Sequence, residues 1–244
     1  MTRRPLSLLL ALTLAMLFLV GRPPCEGFDP KNMDTSVSPC ADFFEYAAGA
    51  WDTNSARNIP QLSQGGLSLP DRDYYLTQDA SSTRLRAQYV EHVTRMFRLL
   101  GDGAAAAGRN ARTVLRFETR LARASMPLEE IQDPIATYHK MSRKNLATRA
   151  SGFAWDAYFR GLGLDNLGTL IIRQPKFFRE LGLMAAGVPL SDWKTYLRWH
   201  LLRATAGYLG SPFEREAFAF NGTILQGTQE LPPRWKRVLG ETDG

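Results

Sequence analysis

The sequence predicts a mainly α, multi-helical fold with at most one or two short strands. Three observations carry that prediction. Apolar residues recur at three- and four-residue spacing through Leu85–Leu100 and again through Ala104–Ala124, the pattern of helices with one buried stripe. Helix start and stop signals recur along the chain, among them Asp133-Pro134, Ser211-Pro212 and Gly101-Asp102-Gly103. Only Leu170-Ile171-Ile172 reads convincingly as a strand, and it is short.

Bulk properties fit that class. A chain of 244 residues can bury one large core or two small ones. Its 44% hydrophobic and 22% charged content is that of a globular protein rather than a disordered one. The net charge is +6 with a pI near 9.5. The arginines are spread along helices as solvated faces, and no nucleic-acid-binding motif accompanies them, so a nucleic-acid partner is not expected.

Residues 1–24 read as a signal peptide or an N-terminal anchor. Arg3 and Arg4 precede an apolar run from Leu6 to Val20, which ends at Gly21-Arg22-Pro23-Pro24. The run is of secretory length and short for a membrane span, while no A-x-A cleavage site follows it. Both a cleaved signal and a membrane anchor fit, and either places the chain outside the cytoplasm (periplasmic, secreted or membrane-anchored). Cys25 and Cys40 suit an oxidising compartment. They either pair with each other or one is an orphan.

The elements follow in order. Residues 25–62 read as an extended arm carrying a short helix, Asp42–Trp51, with Phe43 and Tyr46 on one face and Gly49 placed to end it. In Ser63–Leu76, Gly65-Gly66 marks a turn, and Leu67 and Leu69 alternate with Ser68 in an extended piece. Pro70 ends that piece, and Asp71-Arg72-Asp73 opens a helix, where carboxylates are favourable. The next two helices are Leu85–Leu100 and Ala104–Ala124, with Glu118 on the apolar face of the second. A buried Glu paired with an arginine, or one at the edge of the stripe, is expected there rather than a catalytic carboxylate.

Ser125 is placed to cap a short helix bearing Glu129 and Glu130. Asp133-Pro134 starts another, with Ile135, Tyr138 and Met141 on its apolar side and Lys140, Arg143 and Lys144 at its C-terminal end. Trp155, Tyr158, Phe159 and Leu162 make an amphipathic helix ending at Gly163, and Pro175 opens one that stops near Gly187. Ser191 is placed to cap the next, whose inner face carries Trp193, Tyr196, Leu197, His200, Leu201 and Ala204. His200 is expected to be a hydrogen-bonded core residue. Ser211-Pro212-Phe213-Glu214 reads as a capping box, and Pro232-Pro233 precedes a short helix at Arg234–Leu239 that contains Trp235.

No motif of catalysis is legible. A helical zinc peptidase site needs H-E-x-x-H, in which histidines at i and i+4 converge on the metal. The three histidines, His92, His139 and His200, are far apart and none has a histidine four residues away. Neither a G-x-S-x-G elbow nor a phosphate loop is present. Asp71 and Asp73 are explained by capping. Asn221-Gly222-Thr223 is a glycosylation sequon, relevant in a eukaryotic source.

Five ordered segments resemble the neprilysin-like zinc metalloendopeptidases: MDTSVSPCADFFEYAAGAW at 33–51, GGLSLPDRDYYL at 65–76, LEEIQDPIATYHKMS at 128–142, WDAYFRGLG at 155–163, and WKTYLRWHLLRATAGYL at 193–209 with the closing PPRWKRV. The positions that carry the likeness are Cys25, Cys40, Asp42, Phe43, Trp51, Gly66, Leu69, Pro70, Asp71, Arg72, Asp73, Tyr74, Tyr75 and Trp235, all structural in role.

That resemblance implies a helical capping domain of a two-domain metallopeptidase, covering residues 63–244 and truncated in the linking helix. In the family this region walls a substrate chamber, while zinc ligands and the catalytic glutamate lie further along. The chain alone is therefore expected to hold no zinc and no catalytic residue, and to meet a peptide substrate only if a catalytic half is supplied. Two departures are also implied: an internal deletion near 51–52, and Ala48 in place of the motif's second cysteine, which leaves Cys40 bonded to Cys25 or free. The readings to compare are an incomplete peptidase domain, a non-catalytic peptide- or partner-binding module, and a gene remnant without function.

Overall fold

A computed structural model describes residues 59–237. Cys25, Cys40, the expected helix with Asp42, Phe43 and Trp51, and the apolar run at 6–20 lie outside the described residues. In chain order the elements are β1 (Gln61–Leu62), α1 (Asp73–Leu76), α2 (Ala80–Leu99), α3 (Ala104–Ala124), α4 (Leu128–Ile131), β2 (Lys140–Ser142), α5 (Arg143–Arg149), α6 (Trp155–Gly161), β3 (Thr169–Ile172), α7 (Pro175–Gly187) and α8 (Leu190–Thr205). A 3-10 turn (Ala206–Tyr208), α9 (Ser211–Ala217) and a π-helical stretch (Phe218–Leu225) follow, and residues 234–237 are again helical. The mainly α class holds, with three short strands where one or two were expected.

The described residues fall into two compact units. The first comprises 59–66 and 124–187. Its centre is a three-stranded sheet in the order β1-β3-β2, with β3 parallel to β1 and antiparallel to β2. Ile171 N–H donates to Pro60 O at 3.0 Å, and Ile172 N–H donates to His139 O at 3.0 Å. Leu170, Ile171 and Ile172 are buried, as a continuous apolar run in a central strand should be.

This pairing overturns the helix expected from Asp133 to Lys144. Asp133 does cap a turn, its Oδ1 accepting from Ile135 N at 2.8 Å. The helix stops there because Lys140–Ser142 pairs with Thr169–Ile171 instead. Ile135, 84% exposed, and Tyr138, 56% exposed, line no core. Ser142 caps α5 by accepting from Asn145 N, so Arg143 opens a helix and pairs with Asp156 at 2.6 Å. Pro127 occupies the cap position before α4 and no side chain caps the helix, so Ser125 does not serve that role.

Behind the sheet, Trp155, Phe159, Phe178 and Leu181 build the core of this unit, with Trp155 Nε1 donating to Ala150 O at 3.0 Å. Gly182 sits directly against the backbone of Ala150 and Ser151. A Cβ there would lie 2.8 Å from Ser151 O, a distance that only glycine avoids.

The second unit comprises 67–123 and 188–237. Asp79 caps α2, its Oδ1 accepting from Ser81 N at 2.8 Å and Ser82 N at 2.9 Å, which starts the helix before the periodic run at Leu85. At the other end Gly101 has φ +100°. Gly101 N–H donates to Arg98 O and Asp102 N–H donates to Phe97 O, both at 3.0 Å, a Schellman closure. Asp102 then receives both guanidinium nitrogens of Arg198, at 2.9 and 2.8 Å, and Asn110 at 2.9 Å.

The core of this unit joins Tyr89, Val93, Met96 and Phe97 of α2 to Ala107, Ala111 and Val114 of α3, and to Trp199 and Leu202 of α8. Two cap assignments change. Pro189 precedes α8, so Ser191 lies inside the helix and makes no cap. Gly210 precedes α9, so Pro212 is correctly near the start but Ser211 closes no box.

Candidate functional site

The segment Ser68–Tyr75 is held to the helices of its unit through one buried carboxylate. Glu118, on the inner face of α3, has no exposed surface. Its Oε1 accepts from Ser68 Oγ at 2.6 Å and from His200 Nε2 at 3.2 Å. Its Oε2 accepts from Tyr75 at 2.9 Å and Tyr89 at 2.7 Å.

The donor inventory fixes the direction of every bond. Tyr75 Oη already accepts from Ser68 N at 3.0 Å and Leu69 N at 2.8 Å, so its proton points to Glu118. Ser68 Oγ accepts from Trp199 Nε1 at 2.8 Å, which leaves its own proton for Glu118. Burial, and then the nearby Glu118 charge, push the Tyr75 and Tyr89 phenols well above their usual range and keep them protonated as donors. Tyr196, also buried, ring-stacks with Phe117 at 4.1 Å and its phenol is pushed up by the same burial.

Helical spacing placed Glu118 on the apolar face, either buried against an arginine or at the edge of the stripe, and it is fully buried. The partners are instead a serine, two tyrosines and a histidine. His200 is the hydrogen-bonded core residue it was expected to be. Ser68, Tyr89 and Trp199 were not foreseen as polar partners, and the available signal was a lone serine between two leucines. Four donors saturate both oxygens of a carboxylate sealed from solvent, so Glu118 positions chain segments and has no lone pair directed to a substrate.

The other residues of the segment act locally. Asp71 Oδ1 accepts from Asp73 N at 2.8 Å, which is the expected carboxylate at a helix start. Arg72 Nε, itself buried, lies 3.7 Å from the exposed carboxylate of Asp73. Leu69 is buried, Pro70 is exposed, and Gly66 turns with φ +82°. Tyr74 O and Thr77 O both accept from Arg86 Nη1, at 3.0 and 2.8 Å, which fastens the end of α1 to α2. Trp235 is 61% exposed and separate from this network, with Lys236 Nζ 5.4 Å from its ring centroid.

A second polar cluster lies between α2 and α9. His92, buried and stacked on Phe220 at 4.6 Å, donates from Nδ1 to Glu216 at 2.8 Å. Arg95 Nε donates to the other Glu216 oxygen at 2.8 Å. Burial holds the His92 imidazole below its usual range. Burial pushes the Glu216 carboxyl up, but the bonds from His92 and Arg95 outweigh it and hold the group below its usual range.

Neither cluster fits a metal. Among the described residues no group of three or more His, Cys, Asp or Glu is placed to hold one. The Glu118–His200 pair has its remaining capacity filled by hydroxyl groups. Among the described residues, too, no helix is long and apolar enough to cross a membrane.

Comparison with known proteins gives these features a context. The N-terminal profile described as Peptidase family M13 matches residues 52–244. Endothelin-converting enzyme 1 of Rattus norvegicus is 27% identical over 220 residues, covering 88% of this chain and 29% of the rat protein. Neprilysin-3 of Drosophila melanogaster is 27% identical over 211 residues, covering 82% of this chain and 27% of the fly protein. Among solved structures, the Mycobacterium tuberculosis zinc metalloprotease Zmp1 in complex with inhibitor superposes with a TM-score of 0.69 at 33% identity, over 72% of this chain and 27% of Zmp1. The chain thus spans under a third of the length of the relatives it matches, and it belongs to peptidase family M13, a zinc metallopeptidase family, whose N-terminal region it carries.

Proposed function

We propose that this chain supplies the non-catalytic N-terminal wall of a peptide-hydrolysing chamber, and that proteolysis requires a zinc-bearing catalytic half. One observation carries the reading. The residues matching the family's N-terminal profile include Glu118 and His200, which are locked into a structural network and offer no ligand to zinc. Among the described residues, none is grouped to hold the metal. The segment at 65–76, one of those that resemble the family in sequence, works as the seat of that wall.

The same proposal places the protein outside the cytoplasm, on the strength of Arg3, Arg4 and the apolar run to Val20. It retains an internal deletion near 51–52, read from Trp51 running directly into Asp52 between two family-like segments. The test is chelator-sensitive cleavage of a quenched fluorogenic peptide. The purified chain with zinc should show none. It should associate with the separately produced catalytic region of a relative in sedimentation velocity. Zinc-dependent turnover by this chain alone would overturn the proposal. A cooperative unfolding transition with native near-UV signal would count against the gene-remnant reading.

A further inference from the structure

A surface groove of about 650 Å³ opens between the C-terminal half of α2 and the start of α9, lined by Arg95, Arg98, Leu99, Pro212, Arg215 and Glu216 among others. Its charges are unequal, with three guanidinium groups against one carboxylate. Glu216 is already engaged by Arg95 and His92. Arg98 and Arg215 are exposed, and neither has a carboxylate within ion-pair distance among the described residues. The groove therefore presents two uncommitted planar cations beside an apolar wall of Leu99, which is 40% exposed, and Pro212.

Guanidinium forks of this kind recognise carboxylates in bidentate fashion. We infer that this groove binds an acidic peptide segment, its carboxylates on Arg98 and Arg215 and its apolar side chains on Leu99 and Pro212. A nucleic-acid strand fits less well, since the lining holds no aromatic ring on which a base stacks. The inference does not depend on the chain forming part of a peptidase chamber.

The test uses the full chain and a fluorescein-labelled peptide of alternating glutamate and leucine, with a glutamine-leucine counterpart as reference, read by fluorescence anisotropy. The acidic peptide is expected to bind roughly tenfold more tightly than the neutral one, with affinity falling as salt rises. The double substitution R98Q/R215Q should weaken it roughly tenfold. R160Q, which removes an exposed arginine paired only at 3.8 Å with Asp165, should leave it unchanged. Circular dichroism confirms folding of each variant, and the exposed positions make its loss unexpected. Equal binding of the two peptides, or an unaffected double variant, would overturn the inference. So would displacement of the peptide by a short single-stranded RNA that loses affinity in the double variant.

Discussion

Replacing Glu118 tests the claim that one carboxylate fastens the 68–75 segment to its unit. In Glu118→Ala the Tyr75 proton has no outlet, because Tyr75 Oη is already filled by two backbone N–H groups. Tyr89, fully buried, loses its acceptor as well. Ser68 Oγ and His200 Nε2 lose this acceptor too; the two stranded tyrosine donors alone cost about 1–3 kcal/mol each, and the vacated side chain adds a cavity cost of about 1 kcal/mol. Relief from burying a charge offsets part of this, leaving a net loss of about 4 kcal/mol.

Glu118→Gln behaves differently. Its amide oxygen can face the two tyrosines while its NH2 faces Ser68 Oγ and His200 Nε2, both of which can become acceptors. Charge-assisted bonds become neutral ones, at a cost of about 1–2 kcal/mol. With a urea slope of about 2 kcal/mol/M the midpoints should fall by about 2 M and about 0.5–1 M respectively. Tryptophan fluorescence reads the transition, since Trp199 donates into the same network. Equal midpoint shifts for the two variants, or a loss under about 0.5 M for the alanine, would refute the donor bookkeeping.

Further outcomes follow from other contacts. Gly182→Ala should destabilise by about 2–3 kcal/mol, because its Cβ would meet backbone at 2.8–2.9 Å, whereas Gly187→Ala, which meets nothing within 4 Å, should stay within about 0.5 kcal/mol by the same denaturation assay. Acid should weaken the fold in two stages. Folded His92 resists the proton that unfolded His92 accepts below about 6.5, so stability present above that pH is lost as pH falls through this range. Glu216, held below its ordinary value near 4.5, adds a second loss as pH falls further. In His92→Gln the first stage should vanish from the plot of urea midpoint against pH. Asp102→Ala should cost about 1–2 kcal/mol in thermal melts, since it releases the bidentate Arg198 and Asn110 bonds at a partly exposed site.

Local signals carried the reading of the fold where they sufficed. The limits of α3 and α7, and the end of α2 at Gly101, follow from periodicity and punctuation that act over a few residues. The failed helix at 133–144 shows the limit. Its capping and proline signals are genuine, but the backbone of Lys140–Ser142 is claimed by Thr169–Ile171, a partner some thirty residues away that no local pattern reveals. β1 is two residues long and leaves no periodicity to detect. The site divides the same way. Helical spacing buried Glu118 and His200 in expectation, while the choice of Ser68, Tyr75 and Tyr89 over an arginine depends on segments 29 to 50 residues distant.

The order in which this network is synthesised also has a kinetic consequence. Ser68 and Trp199 are separated by 131 residues, and the second unit closes only when its 188–237 segment joins 67–123. On a ribosome, α2 and α3 emerge with the Glu118 charge long before His200 and Trp199 exist. Among the described residues, the intervening segment 124–187 holds every strand and helix of the first unit except β1. Closing so long a loop carries a larger entropic barrier than the β2–β3 pairing, whose strands lie only about thirty residues apart within 124–187. Folding of the nascent chain should therefore begin in its middle, with the 67–76 segment among the last parts to set.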